Sequence, residues 1–361
     1  MDKKSISSLD LRAIVKEMQV LARGKIGTIY HQANNEVIIQ VHSRAKYLLK
    51  LIPGKWCCFT NLKNPPLRPT GFCMLLRKYI EHATLVSVTQ KDAERIMILT
   101  MEKPDRFYLI IELFSKGNVI LVDAEYKILA ALDKHVWADR KVIEKETYVF
   151  PQGGINYTTV SRDQLSDILV KSEKKNIATC LATELALGGM YAEEICVRAG
   201  VDAKSDLKKL NEKDYTRLFS SLKEVVKTID TADIKGFMYA NQVTPIPLLG
   251  QEVLETKETF NGALEGLNPY RKASPYEKKI ASMQNMISAQ EASVLELDLS
   301  IVENTRKGEL IYEQYVKLQK LKDIVGELAK TKKWNDIGLE LKKEKKIKSV
   351  NLKEKKIQIE L

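Results

Sequence analysis

No stretch of this 361-residue chain approaches 18 uncharged apolar residues, so no transmembrane helix is expected. The opening, MDKKSISSLDLR, has no apolar core of the kind a secretory signal needs. Cysteine is scarce: Cys57, Cys58, Cys73, Cys180 and Cys196 are odd in number and spaced for neither a disulfide framework nor a four-cysteine zinc site. They read as buried or idle thiols in a reducing cytoplasm. The four histidines, His31, His42, His82 and His135, are scattered, none with a second histidine four residues on, so no metal site is expected. GxxxxGK[ST], GxSxG, HExxH and a strand-following GxGxxG are all missing. These absences leave no catalytic cluster to argue from. A non-enzymatic protein without a cofactor is the expectation.

What the chain does have is positive charge. Lys and Arg number 58 against 47 Asp and Glu, a net +11, which suits a polyanionic partner. From residue 330 to the end there are 11 lysines and 5 acids, so +6 of the total sits in the last 32 residues. That run fits either a solvated lysine-rich face or an RNA contact.

The hydrophobic pattern divides the chain. Leu9, Ile14, Met18 and Leu21 share one face of a short helix. Strands are predicted at 25–31, 36–42, 47–52 and 56–60, separated by Asn34-Asn35, residues 43–46 and Pro53-Gly54. Thr70 is placed to cap a helix that runs to about Glu81, after which strands follow at 84–89, 95–100, 107–112, 118–123 and 127–132. Without a βαβ rhythm, this mixture argues for α+β with a mainly antiparallel sheet. After Phe150-Pro151-Gln152-Gly153-Gly154 the pattern turns helical from Ser161 to about Ile229. Gly188-Gly189 interrupts it, either as a phosphate-holding hairpin between two helices or as a plain helix C-cap.

Strand-like pieces return at 235–258, and a short helix is expected at 260–267. Beyond Pro275, Ile280, Met283, Ile287, Val294, Leu297 and Ile301 keep coiled-coil spacing; after a break near Lys307-Gly308 it resumes at Leu318, Leu321, Val325 and Leu328. One helix of about 50 residues, about 75 Å long, is predicted. Its seam would be exposed and prone to self-association. A short helical stretch after Trp334 and a single strand at 347–361 complete the reading, and that strand without a partner suggests a fragment. The expected segments are 1–152 (α+β), 153–232 (helix–hairpin–helix), 233–272 (a return segment on the first domain), 273–330 (first coiled-coil helix) and 331–361 (a truncated middle region).

Four stretches stand in the order of one known family. SLDLRAIVKEM, FCMLLRKYIEHATLVSVTQKDAERI, FYLIIELFSKGNVILVDAEYKIL and LALGGMYAEEICVRAGVD resemble, over nearly the whole chain, the N-terminal portion of NFACT proteins. These are ribosome-associated quality-control factors that include eukaryotic nuclear export mediator factor and bacterial proteins once called fibronectin-binding A. The DAEYKIL continuation is more similar to archaeal or eukaryotic members than to bacterial ones.

The resemblance implies a cytoplasmic protein that binds a large ribosomal subunit stalled with peptidyl-tRNA and recruits a tRNA. It further implies support for template-free extension of the nascent chain by the ribosome's own centre, and a ubiquitin-ligase partner in a eukaryotic member. Carried over by motif, the tRNA-binding residues are Asp10 and Arg12 in the first helix and the pair Glu94-Arg95, with Gly188 and Gly189 as the phosphate hairpin. On spacing alone the acid–Arg neighbours would be local caps or surface ion pairs. The chain departs from the family at Glu94, usually Asp, and at Asp92, often Gly.

The implied fold is also similar to the N-terminal and helix–two-turn–helix parts of formamidopyrimidine-DNA glycosylases, which supplies an enzymatic alternative. Those enzymes use an N-terminal proline and an adjacent glutamate, whereas this chain opens Met1-Asp2. An extracellular adhesin conflicts with the missing signal peptide.

Overall fold

Apolar alternation fixes the centre of the molecule. The computed structural model describes residues 3, 5–137, 140–270, 275–331, 347–351 and 356–359. It separates into two units, Met1–Arg271 and Lys272–Leu361.

The first unit opens with α1 (Ser8–Glu17), β1 (Lys25–Gln32), β2 (Glu36–His42), β3 (Lys46–Ile52) and β4 (Trp56–Phe59). It continues through α2 (Gly71–Ile80), β5 (Thr84–Gln90), β6 (Ile96–Lys103), β7 (Asp105–Glu112), β8 (Asn118–Val122) and β9 (Ile128–Ala131). Strands β1 to β9 form one sheet in the order β4-β3-β2-β1-β5-β6-β7-β8-β9, antiparallel in every pairing. Two meanders thus meet where β1 touches β5, at the single register pair Lys25↔Thr84.

Strands β6 to β8 are buried on both faces, which is why they read as nearly unbroken apolar runs. Met97, Leu99, Leu109, Ile111, Val119 and Leu121 enter the main core. Their alternates Ile96, Ile98, Ile110, Ile120 and Val122 lie in a smaller cluster with Val142 and Tyr148. The expected face of α1 is fully buried at Leu9 and Ile14, and Met18 and Leu21 continue it in a 3-10 turn. Each such side chain contributes about 1.5–3 kcal/mol relative to exposure. The Thr70 hydroxyl accepts from the Cys73 amide at 3.2 Å and so starts α2.

After the pair β10 (His135–Val136) and β11 (Lys141–Val142) come α3 (Arg162–Lys171), α4 (Ile177–Glu184), α5 (Gly189–Ala199) and α6 (Glu212–Thr231). Ser161 and Gln164 form the capping box of α3. Then β12 (Gly236–Met238), β13 (Val243–Thr244) and β14 (Glu255–Lys257) make a small sheet, followed by α7 (Phe260–Glu265). One core runs from Ile6 through Tyr191 and Val225 to Leu264. The stretches 1–152, 153–232 and 233–272 therefore share a single hydrophobic interior.

The second unit corrects two expectations. Where one helix of about 50 residues was expected, two follow each other, α8 (Pro275–Glu313) and α9 (Tyr315–Thr331), divided at Gln314, while the interrupted spacing near Lys307-Gly308 does not interrupt the helix. Lys307 and Glu303 pair at 2.6 Å across one turn, and a single exposed glycine costs a helix only about 1 kcal/mol, so α8 runs through. The 39 residues of α8 span about 58 Å, not 75 Å. Ile280, Met283, Ile287, Val294, Leu297 and Ile301 are each more than half exposed. Residues 347–361 were expected as one strand; instead β15 (Ile347–Asn351) pairs antiparallel with β16 (Lys356–Ile359). The helical stretch expected after Trp334 lies outside the described residues. Among the described residues no helix is long and apolar enough to cross a membrane.

Candidate nucleic-acid interface

Ser7 caps α1, and the cap builds one wall of a cleft. Its hydroxyl accepts from the Asp10 amide at 3.0 Å, while Asp10 Oδ2 accepts from the Ser7 amide at 2.9 Å. Lys3 Nζ stands 2.9 Å from the same oxygen, and the Tyr191 hydroxyl donates to Asp10 Oδ1 at 2.8 Å. Both oxygens of this buried carboxylate are thereby occupied. Burial and the adjacent Asp10 push the Tyr191 hydroxyl far above its usual pKa, so it stays a donor. Asp10 fastens the start of α1 to α5.

A second wall is the 91–95 turn between β5 and β6. Asp92 sits there at φ +47°, in the left-handed region that favours glycine. Buried Ala93 and the Ser8 hydroxyl are hydrogen-bonded, and Ser8 also meets the Tyr157 hydroxyl at 2.9 Å. Gln90 Nε2 donates to the Ser8 carbonyl and hydroxyl at 3.0 Å and to the Glu94 carbonyl at 2.9 Å. The turn is therefore held rigidly against α1.

Glu94 Oε1 accepts from the Gly154 amide at 2.8 Å. Arg95 makes no ion pair among the described residues, and its hydrogen bond to the Ile6 carbonyl is long, at 3.5 Å. Burial lowers its pKa and the nearby Glu94 opposes that shift, yet a guanidinium stays charged.

The third wall is the connection from α4 to α5. Gly188 is the N-cap of α5, at φ +79°, and no side chain caps that helix end. The plain C-cap reading of the glycines is thus replaced, since α4 ends earlier at Glu184. The first amides of α5 remain free to meet an anion, and the helix dipole favours one there. These walls, with Phe114 and Gln152, enclose about 620 Å³.

The cleft brings together Asp10, Glu94, Arg95, Gly188 and Gly189. Arg12 is not among its lining residues. Its guanidinium is bound bidentately to Asp230 of α6, at 2.6 and 2.9 Å, so it stands apart from the other expected contact residues. Sequence reasoning missed Lys3, Ser8, Gln90, Tyr157 and Tyr191, the groups that hold the site together. One signal was available: Ser7-Ser8-Leu9-Asp10 fits the S-x-x-D capping pattern.

Among the described residues no group of three or more His, Cys, Asp or Glu side chains is arranged to hold a metal ion. Fold and site together define a two-unit α+β protein whose cleft presents an arginine without an ion pair among the described residues and an uncapped helix N-terminus. The chain belongs to the NFACT family, whose model, described as NFACT N-terminal and middle domains, matches residues 7–297.

It is 28% identical over 353 residues to the Archaeal Rqc2 homolog aRqcH of Methanocaldococcus jannaschii, covering 90% of this chain and 52% of that protein. It is 25% identical over 350 residues to the Ribosome quality control complex subunit NEMF of Homo sapiens, covering 90% of this chain and 32% of that one. The chain thus spans about half the length of the first and a third of the second. The fibrinogen binding protein from Staphylococcus aureus matches in fold, with TM-score 0.60 at 19% identity over 72% of this chain and 97% of that one.

Proposed function

We propose that this chain is the RNA-binding N-terminal part of a ribosome-associated quality-control factor and that its cleft holds a tRNA. One observation carries the reading: Arg95, half-buried and free of any ion pair among the described residues, lines a cleft beside the uncapped start of α5. A half-buried cation without an ion pair carries a desolvation cost, so a site that keeps one suits an anion. The net charge of +11 and relatives named as ribosome quality control subunits support the same reading.

In this account Arg95 and the α5 amides bind phosphate or a base edge. Glu94 Oε2 has no hydrogen bond among the described residues and accepts from a base amine. Asp10 positions the walls and does not touch RNA. The partner is the large ribosomal subunit carrying peptidyl-tRNA, met in the cytoplasm; a ubiquitin ligase joins it in a eukaryotic setting. Any extension of the nascent chain uses the ribosome's own centre, so this chain supplies placement and no chemistry. The α8 stripe serves as the first helix of a coiled coil.

Titrating tRNA binding against salt tests the proposal. Counterion release predicts that affinity falls roughly tenfold or more between about 50 and 200 mM salt. No binding at low salt, or excision of a damaged base from duplex DNA, overturns it in favour of a glycosylase-type protein.

A further inference from the structure

The helical part of the first unit carries a second cationic surface, whose groove shares no lining residue with the cleft. Two hydrogen bonds create it. The Ile177 amide donates to the Ser205 carbonyl at 3.3 Å and the Ala178 amide to the Ala203 carbonyl at 3.0 Å. They bring the α3–α4 loop, Lys171-Ser172-Glu173-Lys174-Lys175, alongside the α5–α6 loop that contains Lys204, Lys208 and Lys209. Between the loops lies a groove of about 730 Å³. Leu207 and Tyr215 give it an apolar floor, and Lys174, Lys175 and Lys208 stand on its rim.

The pairing of charges on this surface is uneven. Lys171 lies 3.6 Å from Asp167 and Lys174 3.6 Å from Glu184. Lys175, Lys204, Lys208 and Lys209 are exposed, and none of them makes an ion pair among the described residues. The acids of the second loop are turned back on their own backbone. Asp202 accepts from the Lys204 amide at 3.0 Å, and Asp206 accepts from the Lys208 amide at 3.0 Å. The carboxylates stiffen the loop while the ammonium groups point to solvent. Lys175 and Lys208 line the open groove and Lys204 and Lys209 stand on the same α5–α6 loop outside its lining, against one exposed acid of the first loop, Glu173; these four ammonium groups, with no forked guanidinium among them, suit a run of phosphates better than a planar carboxylate.

We propose that the loops 171–175 and 204–209 form a second RNA-backbone contact, independent of the cleft and indifferent to sequence. It rests on the RNA partner proposed above but on none of the cleft residues. It gives the protein two grips on structured RNA: a specific one at Arg95 and a nonspecific one at the lysines.

The test uses the whole chain with Lys175, Lys204, Lys208 and Lys209 changed together to Gln, and in a second variant together to Arg. Binding of tRNA and of a plain RNA duplex is measured against salt, with thermal melts alongside. The Gln variant is expected to lower the salt slope by about 3–3.5 for both RNAs, each phosphate contact being worth about 0.7–0.9. The Arg variant should keep the wild-type slope, which separates lost charge from lost folding. Arg95→Ala should lower the tRNA slope by only about 1 and leave duplex binding unchanged.

An unchanged slope in a folded Gln variant overturns the second contact and leaves the cleft reading standing. Failure of wild type to bind either RNA overturns both. Loss of binding to polyglutamate, with RNA binding intact, overturns the proposal in favour of an acidic protein partner.

Discussion

Asp10 and Arg95 line the same cleft, yet their environments assign them opposite work. Asp10 accepts from an amide, an ammonium and a buried tyrosine hydroxyl. Removing it as Asp10→Ala takes the counter-ion from Lys3, which keeps only the Val243 carbonyl, and the acceptor from buried Tyr191, so about 3 kcal/mol of stability should be lost. Arg95 has one long hydrogen bond, so Arg95→Ala should move the melting temperature little. Thermal or denaturant unfolding of the two variants checks the contrast. Asp92 gives a third case, because its φ of +47° strains any residue with a Cβ. Asp92→Gly should raise stability by roughly 0.5–1 kcal/mol, readable in the same melts. The family resemblance singled out Asp10, which lines the cleft, and only the packing shows that its carboxylate is already occupied. The pairing of Arg12 was not legible for a related reason, since its partner Asp230 lies 218 positions away and no local pattern announces it.

At the scale of elements, each strand expected between 25 and 132 forms, with ends shifted by no more than three residues. Those strands alternate or run apolar between clear turn residues, so local signals sufficed. The joining of two meanders at β1 and β5 was not legible, because one register pair and the intervening α2 carry it. Glycines separate the rigid turns from the tolerant helices. A Cβ on Gly117 would lie 1.8 Å from the Gly54 amide nitrogen, at φ +72°, where the turn after β7 meets the turn before β4. Gly117→Ala should therefore destabilise severely and disturb neighbouring Ser115, which lines the cleft. Gly308 lies within α8 with nothing within 4 Å of its added Cβ. Gly308→Ala should instead strengthen the helix by up to about 1 kcal/mol, and circular dichroism melts of both variants decide.

At the scale of the whole molecule, the thiols and the apolar stripe of α8 have opposite tendencies. All five cysteines are buried, and burial pushes the thiols of Cys58 and Cys196 up to about 12. A thiol protonated in the folded state and buried does not attack, so native protein should resist iodoacetamide at pH 8 and react at all five sites once unfolded. The exposed stripe of α8 has the opposite tendency. Sedimentation should show concentration-dependent association, because Ile280, Ile287, Val294 and Ile301 present apolar surface at coiled-coil spacing. The spacing was legible in the sequence, whereas the break at Gln314 was not, since no glycine or proline marks it.

The most direct test of the central claim, that an unpaired arginine in the cleft grips RNA, is the salt dependence of tRNA binding for wild type and Arg95→Ala, measured at equal thermal stability. The account predicts weaker binding at every salt concentration, a slope smaller by about 1, and an unchanged melting temperature. Identical slopes and affinities for the two proteins would contradict it.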